Sequence, residues 1–286
     1  MALAAALSVG AQTDGGKLFP YPVVPDDIQR LDERCDYLVS HFWDRCNFKQ
    51  AFSSMNKLSE AFNDFLPPVP FASADTVHAA IDRLIANVKK SPDQTLKLAK
   101  IAERWLYSDS AEFRSEEVYL PFARAVAQNK KINGAERARF EQQVQLIENS
   151  GLGAKVKDLP FTTPEGFKSN LGELTAPNIL LFINDPTCDD CAMARLRLSA
   201  DINANRLIEQ GVLQIVSIYP DAADNEWLQA SASYPANWIV GAMPDADMYF
   251  SLRTIPQFYF LDGDHKVIAK DFPIENIFRA LAALAK

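Results

Sequence analysis

The residues whose types and spacing define a chemistry are Cys188-Asp189-Asp190-Cys191. They come directly after a continuous apolar run, Asn178 to Ile183, and open a stretch with helical spacing. At a helix N-terminus the unpaired backbone N–H groups and the macrodipole stabilise an anion. A thiol placed there ionises more readily and becomes a nucleophile. Two intervening residues bring the second sulfur back beside the first, within reach of a disulfide. A mixed disulfide formed at the first sulfur can then be resolved by the second. The pattern therefore points to exchange of thiols and disulfides.

Other uses of such a pair are less well supplied. A structural zinc site needs four ligands, but there is no second Cys-x-x-Cys and His41, His78 and His265 are scattered. We expect no metal and no cofactor. Haem attachment needs a histidine after the second cysteine, where this chain has Ala192. The remaining alternative is an idle pair on a scaffold used only for binding, because a fold does not fix a function.

The elements that must hold the pair follow from periodicity. Residues 178–183 and 212–219 read as buried strands. Residues 188–209 read as one helix, with Met193, Leu196, Leu198 and Ile202 along it. A hairpin arm is expected from residue 156, turning at Thr163-Pro164-Glu165-Gly166. A short helix over 224–230 and a strand over 238–240 follow. Strands 257–261 and 266–269 flank the turn Asp262-Gly263-Asp264, and an amphipathic helix closes the chain over 274–286. The alternation of strands and helices implies an α/β domain with a mixed sheet covered on both faces.

The preceding region reads differently. Five or six amphipathic segments with short connections make residues 26–150 an all-helical domain. The first runs from Asp26 through Ile28, Leu31, Cys35, Leu38, Val39 and Phe42, and the second covers 49–65. Ser73 caps a third, Ser91-Pro92 starts a fourth running to about Tyr107, Ser115 starts a fifth, and Asn133 starts a sixth that ends near Ser150. On a continuous helix Cys35 and Cys46 share a face about 16 Å apart, so they read as two core thiols. Trp43 and Trp105 read as core, and His41 as a partly buried, satisfied histidine. Trp227 and Trp238 either pack or line a groove near the cysteines. Asp221 and Asp224 read as loop and cap residues.

At 286 residues the chain is long enough for two domains, 26–150 and 152–286. Its 29 Lys and Arg against 37 Asp and Glu give a net charge of −8 with no basic cluster, which argues against nucleic acid as a partner. No run is long enough to span a bilayer. Residues 1–11, apolar and ending in small residues, read as a partial signal peptide, and residues 12–25 as an extended lead-in.

The segment Phe182-Ile-Asn-Asp-Pro-Thr-Cys-Asp-Asp-Cys191, with Gly211-Val-Leu-Gln-Ile-Val-Ser-Ile218, Trp227 and Arg253-Thr-Ile-Pro-Gln-Phe-Tyr-Phe-Leu-Asp262, resembles the thioredoxin superfamily, and more closely its exported group that includes TlpA and ResA. The resemblance covers residues 152–286. The Tyr37-Leu-Val-Ser-His-Phe-Trp-Asp44 segment resembles a domain of unknown function found ahead of such domains. The resemblance implies a periplasmic or envelope thiol–disulfide oxidoreductase, a reductant or isomerase. Its partners would be protein or peptide thiols and disulfides and an upstream redox partner. Cys188 would attack, Cys191 would resolve, and a cis Pro256 with Ile255 would receive an extended substrate. Two departures stand out. The family's buried acid, six residues before the first cysteine, is here Phe182. The Asp-Asp dipeptide repels a thiolate, so the Cys188 pKa is expected to lie above that of strongly oxidising members. The competing expectation is a non-catalytic envelope binding module in which the helical domain does the work.

Overall fold

The computed structural model describes residues 16–108, 110–156, 158–252, 255–270 and 274–286. Residues 1–11, read above as a signal peptide, lie outside them. The chain divides into two compact units, one ending at Glu141 and one starting at Gln142.

The first unit is helical. Its helices are α1 (Leu31–His41), α2 (Phe48–Ala51), α3 (Met55–Phe65), α4 (Ala74–Val88), α5 (Pro92–Ala102), α6 (Glu116–Ala127) and α7 (Gly134–Ser150); the boundary between the units falls within α7. Several starts follow from side-chain caps. Ser73 accepts from the Thr76 N–H, Ser91 from Gln94 and Ser115 from Val118, each satisfying a donor that the helix leaves open. Helix α1 starts five residues later than its periodicity suggests, because Asp26 and Asp27 lie in a turn. The expected helix over 49–65 is two helices. The Ser53 hydroxyl donates to the Gln50 carbonyl at 2.7 Å, and the Ser53-Ser54 pair offers the backbone an alternative to helix. Helix α5 passes into a π turn over Glu103–Tyr107, closed by a bond from Ser108 N to Glu103 O at 2.8 Å. The core is aromatic. Phe42 meets Phe19 and Phe65 with ring centroids 5.8 and 5.4 Å apart, and Phe62 meets Phe122 at 5.6 Å. Trp43 belongs to this core, whereas His41 is exposed and pairs with Asp44 at 2.7 Å.

The second unit is built on seven strands. They are β1 (Pro160–Thr162), β2 (Lys168–Asn170), β3 (Asn178–Ile183), β4 (Leu213–Tyr219), β5 (Ile239–Ala242), β6 (Gln257–Asp262) and β7 (Val267–Lys270), in the spatial order β2-β1-β5-β4-β3-β6-β7. β3, β4 and β5 are mutually parallel, and β6 is antiparallel to β3. Helices α8 (Asp189–Ala200), α9 (Ile202–Glu209), α10 (Asn225–Ser231) and α11 (Ile274–Leu284) complete the unit. The expected single helix over 188–209 breaks at Asp201. That residue is extended, and its carboxylate accepts from Ala204 N at 2.8 Å, so it starts a new helix.

Side chains alternate across a strand, and β3 shows the consequence. Ile179, Leu181 and Ile183 enter one core with Val216, Ile218 and Tyr259. Leu180 and Phe182 enter the other with Leu198, Leu207, Ile277 and Leu281 from α8, α9 and α11. Both faces are buried, which is why β3 reads as a continuous apolar run. Where β1 meets β5, a Cβ at Gly241 would run into the Phe161 ring. At the turn after β6 the residue with positive φ is His265, at 61°, rather than Gly263. The Asp262 carboxylate fixes that turn by accepting from the Asp264 and Lys266 N–H groups, both at 2.9 Å.

Candidate active site

β3 ends at Ile183, and the next five residues set up the helix that follows. Asp185 accepts two hydrogen bonds from Thr187, from N at 2.7 Å and from Oγ1 at 2.6 Å. Its carbonyl accepts from Cys188 N at 3.2 Å. This turn delivers Cys188 as the N-cap of α8, where its Sγ lies 3.1 Å from the Cys191 N–H. A sulfur in that position occupies the place a serine or aspartate oxygen takes at other helix starts. It also meets the positive end of the helix dipole.

Cys188 and Cys191 form a disulfide with their Cα atoms 5.2 Å apart. Cys188 is half-buried and Cys191 is 2% exposed, so an incoming group meets Cys188 first. Asp189 and Asp190 point to solvent. The Ile255–Pro256 peptide is cis, and the Ile255 carbonyl oxygen is 3.8 Å from Cys188 Sγ. The structure thus brings Cys188, Cys191 and Ile255 together, with Pro256 next in the chain.

Phe182 occupies the place of the family's acid. It is fully buried and stacks on Phe258 at 5.0 Å, in the same core as Cys191 and Trp238. Trp238 is therefore a packing residue. Trp227 is buried and stacks on Tyr219 at 6.1 Å.

One constellation beside the pair escaped the sequence reading. Asn184, 2% exposed, follows β3 directly; its amide donates to Ser217 Oγ at 2.7 Å and to the Phe182 carbonyl at 3.0 Å. Its side-chain oxygen accepts from the Tyr234 hydroxyl. The Tyr234 ring lies under the Arg195 guanidinium of α8, 4.5 Å away. The available signal was Ser217, a lone hydroxyl within an apolar strand, since a buried polar group needs a partner.

The other two cysteines stand apart. Both are free. Cys35 is buried on α1, and burial, followed by the Asp36 charge, pushes its thiol up. Cys46 lies beyond the end of α1, so the continuous helix expected to carry both does not exist. It is half-buried rather than core, and burial pushes its pKa up to about 12. Among the described residues no group of three or more His, Cys, Asp or Glu is placed to hold a metal ion.

A mixed sheet with helices packed on it and a Cys-x-x-Cys disulfide at the start of the helix after β3 defines a thioredoxin-like protein. The model of the family described as domain of unknown function DUF5106 matches residues 5–150, over half of the chain, and the chain belongs to that family. It is similar over 93% of its length, at 26% identity and a TM-score of 0.81, to 99% of a thioredoxin-like protein from Bacteroides caccae. The C-terminal domain of an uncharacterised protein from Bacteroides fragilis matches 47% of the chain over 99% of its own length, at 31% identity and a TM-score of 0.44. The thioredoxin domain of a thiol-disulfide oxidoreductase from Bacteroides vulgatus matches 48% over 99%, at 16% identity and a TM-score of 0.41. No curated protein matches the chain.

Proposed function

We propose that this protein is a thiol–disulfide oxidoreductase acting on protein or peptide disulfides through Cys188 and Cys191. The observation that carries the reading is the placement of the Cys188–Cys191 disulfide at the start of α8, its outer sulfur half-exposed and 3.8 Å from the Ile255 carbonyl. In the reducing direction, the Cys188 thiolate attacks one sulfur of a substrate disulfide. The Cys188–substrate bond forms, the substrate S–S bond breaks, and the leaving sulfur takes a proton. Cys191 then loses its proton and attacks Cys188 Sγ. The Cys188–Cys191 bond closes and the second substrate sulfur leaves as a thiol. Two electrons and two protons pass to the substrate, and an upstream dithiol must restore the reduced pair. The partner's potential sets the direction, so isomerisation and oxidation use the same atoms.

Ile255 and Pro256 serve substrate binding in this reading. The Ile255 carbonyl, beside Cys188 Sγ, suits an extended peptide that pairs with this segment as an added strand. No helix among the described residues is long and apolar enough to cross a membrane. An envelope location, supported by the composition of residues 1–11, belongs to the same proposal.

The test is a redox titration of the full chain in dithiothreitol buffers, with alkylation and mass spectrometry at each cysteine. Joint, reversible oxidation of Cys188 and Cys191 at about −200 to −300 mV supports a working couple. Cys191→Ser should accumulate a mixed disulfide with substrate at Cys188, and Cys188→Ser should abolish exchange. A pair that never cycles reversibly overturns the reading.

A further inference from the structure

The negative charge of this chain is gathered at one edge of one sheet. β3, β4 and β5 run parallel, so the segments leaving their C-terminal ends emerge on the same edge, the one that carries Cys188. The segment after β3 brings Asp185, Asp189 and Asp190; the segment after β4 brings Asp221, Asp224 and Glu226; the segment after β5 brings Asp245 and Asp247. Residues 184–194 and 220–252 contain no Lys, Arg or His. Removing these eight acids from the 37 leaves 29, equal to the 29 Lys and Arg, so this edge accounts for the whole net charge of −8.

Seven of the eight are exposed and Asp185 is half-buried. The ion pairs among the described residues use other carboxylates. Tyr219, at the end of β4, registers their convergence. Its phenol is pushed up by burial first, and then by the charges of Asp224, Asp185, Asp221 and Glu226, which come from two different segments. The nearest bases in sequence are Arg195 and Arg253. Arg195 donates to Ser233 Oγ at 2.9 Å and covers the Tyr234 ring; Arg253 lies outside the described residues. No three of the eight are placed to hold a metal ion.

Resting on the oxidoreductase reading, we propose that the substrates of this site are cationic proteins whose reacting disulfide is flanked by Lys or Arg. The carboxylates make no site of their own, because the reacting sulfurs are those of the cysteine pair. They set the sign of the field through which a partner approaches. Unpaired charges of one sign around a reactive group raise the encounter rate of the opposite charge by about 10- to 1,000-fold at low salt. They also disfavour like-charged partners.

The experiment measures reduction of two disulfide peptides by the reduced full chain, identical except for Lys or Glu on both sides of each cysteine. Each rate is divided by the rate with dithiothreitol, which removes the intrinsic effect of flanking charge on the disulfide. We expect the normalised Lys:Glu ratio to be about 10 or more at low salt and to approach 1 near 1 M salt, where the Debye length is about 3 Å. The triple variant Asp221→Asn, Asp224→Asn, Glu226→Gln should lower the ratio several-fold while leaving reduction of the uncharged 2-hydroxyethyl disulfide unchanged; Asn at 224 retains the cap on α10. A normalised ratio near 1 at low salt, or a ratio the variant does not alter, overturns the inference while the oxidoreductase reading stands. Failure to reduce either peptide or 2-hydroxyethyl disulfide removes the oxidoreductase reading, and the inference with it.

Discussion

In the reduced protein the four thiols should differ sharply in reactivity, and Cys46 makes the sharpest test. A thiol reacts as its thiolate. Burial raises the Cys46 pKa from 9.0 to about 12. At pH 8 a thiol with a pKa of 9 is about one-tenth ionised and one with a pKa of 12 about one ten-thousandth, so its alkylation slows about 1,000-fold. The perturbation is unfolding in guanidinium, which returns Cys46 to its ordinary value. The assay is pulsed iodoacetamide labelling of native and unfolded protein, read by peptide mass spectrometry. Cys46 and Cys35 should label slowly in the native chain and fast in the unfolded one, while reduced Cys188 should label fast in both. The sign carries over to stability. A folded pKa raised above the unfolded value means that the folded state holds its proton more tightly. The Cys46 contribution is therefore complete below about pH 9 and is lost as pH rises from 9 towards 12. Native Cys46 labelling at the rate of an unfolded thiol would refute the reasoning, since it would mean that solvent reaches the sulfur freely.

Two further predictions concern the framework. Tyr234→Phe keeps the ring under Arg195 but leaves the Asn184 oxygen without its donor; the second unit should lose about 1–3 kcal/mol, read as a lower urea midpoint at unchanged slope. Ser73→Ala removes the cap on α4 and should cost about 1 kcal/mol in the helical unit, with Ser73→Asp recovering most of it in the same assay.

The elements flanking the cysteines were legible because their causes are local. A strand buried on both faces announces itself as an apolar run, and β3 matches its expected limits of Asn178 and Ile183. The caps at Ser73, Ser91 and Ser115 are chemical signatures readable from single residues. Helix breaks were less visible. Periodicity runs smoothly through Ser53 and Asp201, and only competition for backbone hydrogen bonds decides that the chain turns there. Of the site, the cysteine pair was readable from spacing. The neighbouring Ile255–Pro256 peptide was readable only through family resemblance, because nothing local brings residue 255 to residue 188. The Asn184–Ser217–Tyr234 network joins residues distant in sequence, and pattern reading does not pair them. The same is true of the acidic edge, since the parallel register of β3, β4 and β5 is what brings its eight carboxylates to one side.

Cys188 has two duties at one atom. Its sulfur is half of the disulfide, and it is also the acceptor that closes the first turn of α8 against the Cys191 amide. Oxidation state and fraying of that turn are therefore one linked equilibrium. A protonated Cys188 thiol is a poor cap, whereas a thiolate is a good one, so the local opening free energy of the turn changes with the redox and protonation state of the pair. The Cys191 amide proton sits on that linkage. Its exchange with solvent deuterium reports which chemical state the pair is in, with no label attached to either sulfur.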